Sequence, residues 1–183
     1  MSAHSRTRPV ALIGLSGAGK TTVAPLLAAR LGGEPIDLDA RVAVRAGCSI
    51  AELFARGGES EFRGLERDEL ARAVDLGAGV IACGGGIVET REARDLLRRR
   101  CRGVWLEVEP AVAAARVAAT AGERPLLGPA ASEARLGELL ARRSAWYAEV
   151  AELRVPTDGL AAPDVAERVA RELEHPARAG GAA

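Results

Sequence analysis

The chain of 183 residues carries 25 basic and 25 acidic side chains, a formal net charge of zero, and 48% hydrophobic against 27% charged residues. That is the composition of a folded domain of ordinary size, because a disordered chain is poorer in apolar residues and higher in net charge. It excludes a broad cationic face for nucleic acid or anionic lipid, and no apolar run approaches the roughly 20 residues of a bilayer span. Any anion bound here must be held locally.

Residues 1–9 lack the apolar core of a signal peptide and are expected to form a flexible leader. Val10–Ile13 is a short buried strand ending at Gly14. Lys20–Leu31 follows as a helix closed by Gly32 and Gly33, with Leu26, Leu27 and Leu31 on one side. Pro25 offers no N–H to the Thr21 carbonyl, so a bend or strained turn is expected there. Residues 35–38 read as a second strand ending at Asp39, and Ser49 is placed to cap a short helix through Arg56. After Gly57 and Gly58, an amphipathic helix spans 59–74 with Phe62, Leu65, Leu70 and Ala73 in its apolar stripe.

Residues 80–83 form a third strand stopped by Gly84, Gly85 and Gly86; Arg91–Arg100 is a helix and 104–108 a fourth strand. The run Arg98, Arg99, Arg100 and Arg102 complements the dipole at that helix's C-terminal end, since aromatic residues, at 3%, are too few for a nucleic-acid face. Pro110–Ala119 is helical, 120–131 is an exposed, mobile loop rich in Gly and Pro, and Ser132 caps a long helix to about Ala151. A fifth strand at 153–157 and a helix at 163–174 close the domain, and 175–183 is expected to be a disordered tail. Strands alternating with helices, without repeat or linker, predict a single α/β domain over 10–174 with a mostly parallel sheet. Cys48, Cys83 and Cys101 form neither a disulfide framework nor a zinc pattern, and the chain reads as cytoplasmic.

Gly14-Leu15-Ser16-Gly17-Ala18-Gly19-Lys20-Thr21 fits G-x-x-x-x-G-K-[ST] between the first strand and the first helix. Backbone N–H groups from Gly17, Ala18 and Gly19 through Thr22, at a helix N-terminus, can surround the phosphates of a nucleotide. Lys20 would reach the β and γ oxygens and Thr21 would bind Mg²⁺. Lys20 is also the only lysine; every other cationic side chain is arginine. P-loops serve switches, motors and kinases alike, but a chain of this length leaves little room for a second catalytic domain. That shifts the reading toward a compact kinase with a small acceptor.

Read in order, the P-loop, Asp37-Leu38-Asp39, Gly58-Glu59 followed by Phe62-Arg63 and Glu66, Gly84-Gly85-Gly86, Arg124-Pro125-Leu126-Leu127, and Arg143 four residues before Tyr147 resemble the ordered motif set of shikimate kinases. The resemblance spans roughly 10–174. It implies a three-layer P-loop NTPase fold of nucleoside-monophosphate-kinase-like type, sheet order 2-3-1-4-5, with a lid at about 120–131. The implied reaction moves the γ-phosphoryl group of ATP to the 3-hydroxyl of shikimate, with Mg²⁺, on a monomer that binds neither nucleic acid nor membrane.

Asp37 and Asp39, set on one side by strand alternation, would then support Mg²⁺ and bond the acceptor hydroxyls respectively. Arg63 and Arg143 would clamp the acceptor carboxylate with their planar forks, Glu66 would steady Arg63, and Phe54 and Phe62 would lie against the acceptor. Gly84, Gly85 and Gly86 would let backbone approach it closely. Arg124 on the lid would join Lys20 and Asp39 as a catalytic group by neutralising charge on the transferred phosphoryl, while Arg116 and Pro163 would border adenine. Two other readings stay open from the residues: a kinase for another small polyol acid such as gluconate, and a sensing module that binds without turnover.

Overall fold

The computed structural model describes residues 8–119 and 132–175. The expected leader up to residue 7, the loop at 120–131 with Arg124, and the tail from 176 lie outside the described residues. Five parallel strands, β1 (Val10–Ile13), β2 (Pro35–Asp37), β3 (Val80–Ala82), β4 (Arg102–Glu107) and β5 (Ala151–Pro156), make one sheet in the order β2-β3-β1-β4-β5. This is the order that the motif resemblance implied.

The helices are α1 (Lys20–Leu31), α2 (Leu38–Ala46), α3 (Ile50–Leu76), α4 (Arg91–Arg100), α5 (Pro110–Ala119), α6 (Glu133–Val150) and α7 (Ala162–Glu174). They cover both faces of the sheet, which is why β1 is buried at every position and reads as an unbroken apolar run. Val10 and Leu12 face a layer with Leu27 of α1 and Val165 and Val169 of α7. Ala11 and Ile13 face the other layer, with Leu70 of α3, Leu97 of α4 and Tyr147 of α6.

Because β1 lies between β3 and β4, with Leu12 paired to Ala82 and to Val104, the loops that leave β1 and β3 emerge side by side. Ligands of open parallel sheets bind in that kind of crevice, outside the carboxyl ends of the strands where the order reverses.

Several local expectations are corrected. Helix α1 includes Pro25, which is exposed along with Thr21. Its buried face is Val23, Ala24, Leu27 and Ala28, so Leu26, at 36% exposure, points outward rather than joining Leu27. Strand β2 stops at Asp37, and Asp39 sits in the first turn of α2, a helix not expected from the sequence. The side chain of Asp37 caps that helix by accepting the Ala40 N–H at 3.1 Å.

Ser49 does start a helix, with a reciprocal capping box to Glu52. The two helices expected on either side of 57–58 meet in α3, kinked where Gly58 takes φ 71° and ψ −172°. Glu69, buried on α3, holds α2 through Arg41 at 3.0 Å and Arg45 at 3.2 Å. Within the basic run at the end of α4, Arg98 pairs with Glu149 and Arg100 with Asp75, consistent with an ordinary solvated helix face.

The two leucines of α1 separate the face assignments. Leu27→Ala should cost about 2–5 kcal/mol through lost burial and the cavity left behind, and Leu26→Ala under about 1 kcal/mol, read as shifts in urea midpoint. Equal costs would contradict the facing described here.

Candidate active site

The loop from β1 to α1 forms one end of the site. Gly17 has φ 82°, and a side-chain carbon there would meet the Ala113 carbonyl oxygen at 2.6 Å, so only glycine lets α5 pack on the loop. Lys20 is buried, its Nζ donating to the carbonyls of Gly14 at 2.8 Å and Leu15 at 2.7 Å. The ammonium is thus curled against the loop whose phosphate ligand it would reach.

Thr21 Oγ1 donates to Asp37 Oδ2 at 2.9 Å, which brings together the two residues expected at a metal. One hydroxyl and one carboxylate are hard oxygen donors that suit Mg²⁺, provided phosphate oxygens and water complete the shell. Among the described residues no cluster of three or more His, Cys, Asp or Glu could hold a metal by itself, so a cation at this pair would depend on the ligand's oxygens.

A cleft of about 560 Å³ runs from this loop between the strand ends. It is lined by Gly17, Ala18, Gly19, Lys20, Thr21 and Thr22, by Asp37 and Asp39, by Gly84 and Gly85, and by Arg116. The Arg116 guanidinium donates to the Gly17 carbonyl at 3.3 Å and to Thr157, at 3.1 Å to Oγ1 and 2.8 Å to the carbonyl. Pro163 does not reach this wall. It is exposed at the start of α7, where its missing N–H is tolerated, and Thr157, Leu160, Ala162 and Val165 line the cleft instead.

At the other end, the bare backbone of 84–86 is pressed by side chains from α2 and α3. A side-chain carbon on Gly84 would lie 2.4 Å from Glu66 Oε1 and 2.8 Å from Asp39 Oδ1, and one on Gly86 would lie 2.1 Å from Arg63 Nη2. Gly84 and Gly86 thus leave room for the acids and arginine behind them, while Gly85 faces the P-loop, where a side-chain carbon would lie 3.3 Å from the Ser16 nitrogen. The Tyr147 hydroxyl donates to the Gly85 carbonyl and fixes the turn from α6.

Arg63 donates to Glu66 at 2.7 Å, Glu59 at 3.1 Å and Glu89 at 2.8 Å, with its guanidinium 5.1 Å from the Phe62 ring centroid. Arg143 Nε donates to Glu89 Oε1 at 2.9 Å, and Arg142 reaches the same oxygen. Phe54 packs on Phe62 with centroids 4.8 Å apart and is partly exposed. Asp39, Phe62, Arg63, Glu66, Gly84–Gly86 and Arg143 thus form one neighbourhood, with Phe54 on its outer side.

Glu89 is the residue that sequence reasoning missed. It ends a 3-10 turn, Ile87–Glu89, directly after the glycines, and in the sequence it reads only as an acid preceding a basic helix.

Burial, opposed by Arg63 and reinforced by Asp39 and Glu89, pushes Glu66 up to about 7. Burial also works against ionised Glu89, but Arg143 and Arg63 outweigh it and hold that carboxyl at about 2. Burial drives the Tyr147 hydroxyl to about 12, so it stays a donor.

A parallel sheet whose central strand feeds a P-loop, opposite a glycine turn backed by arginine forks, defines a P-loop kinase of small molecules. The family model described as shikimate kinase matches residues 16–174, and the chain belongs to that family. The shikimate kinase of Thermobifida fusca is 43% identical over 169 residues, covering 91% of this chain and 96% of that protein. The shikimate kinase of Synechococcus sp. (strain RCC307) is 41% identical over 171 residues, covering 93% of this chain and 87% of that protein. The solved structure of the Acinetobacter baumannii shikimate kinase in complex with shikimate has a TM-score of 0.86 at 32% identity, over 93% of this chain and 94% of that one.

Glu66 has a measurable signature in stability. From 4.5 to about 7 the folded chain keeps a proton that the unfolded chain releases, so stability falls as pH rises through that window and levels off above it. Glu89 acts in the other direction, its contribution being lost as pH falls from 4.5 toward 2. Glu66→Gln should therefore narrow the difference in urea midpoint between about pH 5 and about pH 8 relative to the parent chain. An unchanged difference would mean that Glu66 does not titrate there.

Proposed function

We propose that the cleft carries the reaction of its family: the γ-phosphoryl group of ATP is transferred to the 3-hydroxyl of shikimate, giving shikimate 3-phosphate for aromatic amino acid biosynthesis. One observation carries this reading. A P-loop with its Thr21–Asp37 oxygen pair lines one cleft with Asp39, Gly84 and Gly85, and behind that same glycine turn Arg63 packs on Gly86 and shares Glu89 with Arg143.

In this reading the phosphates lie along the N–H groups of Gly17–Thr22, and Lys20 leaves the Gly14 and Leu15 carbonyls to meet the β and γ oxygens. Mg²⁺ at Thr21 and Asp37 would supply charge neutralisation and orientation of the phosphates. Asp39, beside Gly84 at the cleft wall, orients the acceptor hydroxyl and accepts its proton as the bond to phosphorus forms. Arg63 and Arg143 hold the acceptor's carboxylate, Glu66 braces Arg63, and Phe62 with Phe54 beyond it flanks the ring. Arg124 acts from the lid on the transferred phosphoryl, and Arg116 borders the adenine.

Such a site works by positioning and electrostatics, because a loose phosphoryl transfer needs little covalent help from protein. A single chain supplies both the P-loop and the arginines behind the glycine turn, which supports action as a monomer. No described helix is long and apolar enough to cross a membrane; the proposed location is the cytoplasm.

ADP release should be fast with shikimate and slow with gluconate or nucleoside monophosphates, and a preference for either alternative would overturn the acceptor assignment. Saturable ATP and shikimate binding without product would make the chain a sensor. Lys20→Met should lower kcat at least about a hundredfold, since no second ammonium can substitute for the lost charge. Arg143→Lys should raise KM for shikimate about tenfold or more with KM for ATP little moved, because an ammonium cannot replace the fork. The reverse split would place Arg143 at the nucleotide.

A further inference from the structure

The forks assigned to the acceptor's carboxylate already hold one. Glu89 Oε2 accepts from Arg63 Nη2 at 2.8 Å, and Oε1 accepts from Arg143 Nε at 2.9 Å and from Arg142. The Glu89 side chain is 13% exposed, Arg63 13% and Arg143 10%, so this is an enclosed ion cluster, whereas Arg142 is 53% exposed. Among the described residues, Arg63, Arg142 and Arg143 are paired with Glu59, Glu66 and Glu89, so a carboxylate entering between Arg63 and Arg143 meets guanidinium groups that already have partners.

The three acids differ in their freedom to yield. Glu59 and Glu66 share α3 with Arg63, at helical spacings of four and three residues, and remain beside it whatever binds. Glu89 stands on a separate short turn and bridges α3 to α6. It also has a fallback partner at the surface in Arg142. A ligand carboxylate that replaces Glu89 leaves both buried guanidinium groups paired, which avoids the cost of an uncompensated charge.

We propose that Glu89 is an internal competitor for the acceptor-carboxylate site, released from Arg63 and Arg143 toward Arg142 when a carboxylate ligand enters. Resting on the function proposed above, this makes Glu89 a positioning and specificity residue. It keeps the forks ordered and closed in the free enzyme, and only a ligand able to replace its carboxylate opens them. Affinity for the acceptor is then the difference between two carboxylates on the same arginines.

The test is a calorimetric titration of shikimate into the parent chain, Glu89→Gln, Glu89→Asp, Arg142→Ala and the Glu89→Gln/Arg142→Ala double variant, alongside steady-state kinetics. Removing the competing charge in Glu89→Gln should tighten shikimate binding about tenfold, with KM for shikimate falling in step and KM for ATP within about twofold. Glu89→Asp keeps the charge and should stay near the parent, which separates loss of charge from loss of folding. Arg142→Ala should weaken shikimate binding in the parent background but have little effect in the double variant, because its role is to receive Glu89. Weaker or unchanged binding in Glu89→Gln, with a parent chain that phosphorylates shikimate, would show Glu89 to be a fixed brace and overturn the proposal while the function stands. A parent chain that does not phosphorylate shikimate overturns the function, and this proposal with it.

Discussion

The pairing of β1 with β3, Leu12 beside Ala82, is the constraint on which the site depends. It makes two loops leave the sheet next to each other: the phosphate loop after β1 and the glycine turn after β3. Side by side, with Asp37 and Asp39 beside them at the start of α2, they line a single cleft. The buried layers on both faces of β1 hold this pairing in place, so the core and the site are parts of one arrangement.

The electrostatics of the two ends differ in kind. At the phosphate loop, positive character comes from backbone N–H groups, a helix N-terminus and one ammonium, features that occupy little volume. At the far end it comes from bulky guanidinium groups packed against bare glycine backbone and surrounded by acids. The acids keep buried arginines from standing unpaired. Glu66 near its own midpoint at about 7 and Glu89 held at about 2 show how burial and neighbouring cations divide two glutamates of one cluster.

Helix α3 transmits the fold to that end of the crevice. Its capping box at Ser49 fixes where it starts, and Gly58 turns its axis before the segment that carries Arg63 and Glu66. Farther along, Glu69 ties it to α2 through Arg41 and Arg45. Asp39 on α2 and Glu66 on α3 consequently meet the same glycine, Gly84. The Arg63–Glu66 cluster is therefore positioned by contacts between helices and by the turn after β3, whereas the P-loop is positioned by the sheet.

Sequence alone was enough for the P-loop, the alternation of strands and helices, and most element boundaries. Val10–Ile13, Lys20–Leu31, Arg91–Arg100 and Pro110–Ala119 were legible to the residue, because caps, glycine stops and apolar periodicity act over a few neighbours. The ordered motifs were legible through their resemblance to those of the family. What the sequence could not show is set by partners far along the chain. Asp39 was read into a strand because alternation fits 37 and 39, but the N-cap made by Asp37 and the packing of α2 on α3 decide for a helix. Leu26 and Leu27 look equivalent until the sheet defines which side of α1 is inside. Glu89 joins Arg63, 26 residues away, and Arg143, 54 residues away, and an ion cluster spanning such separations exists only once the chain has closed on itself.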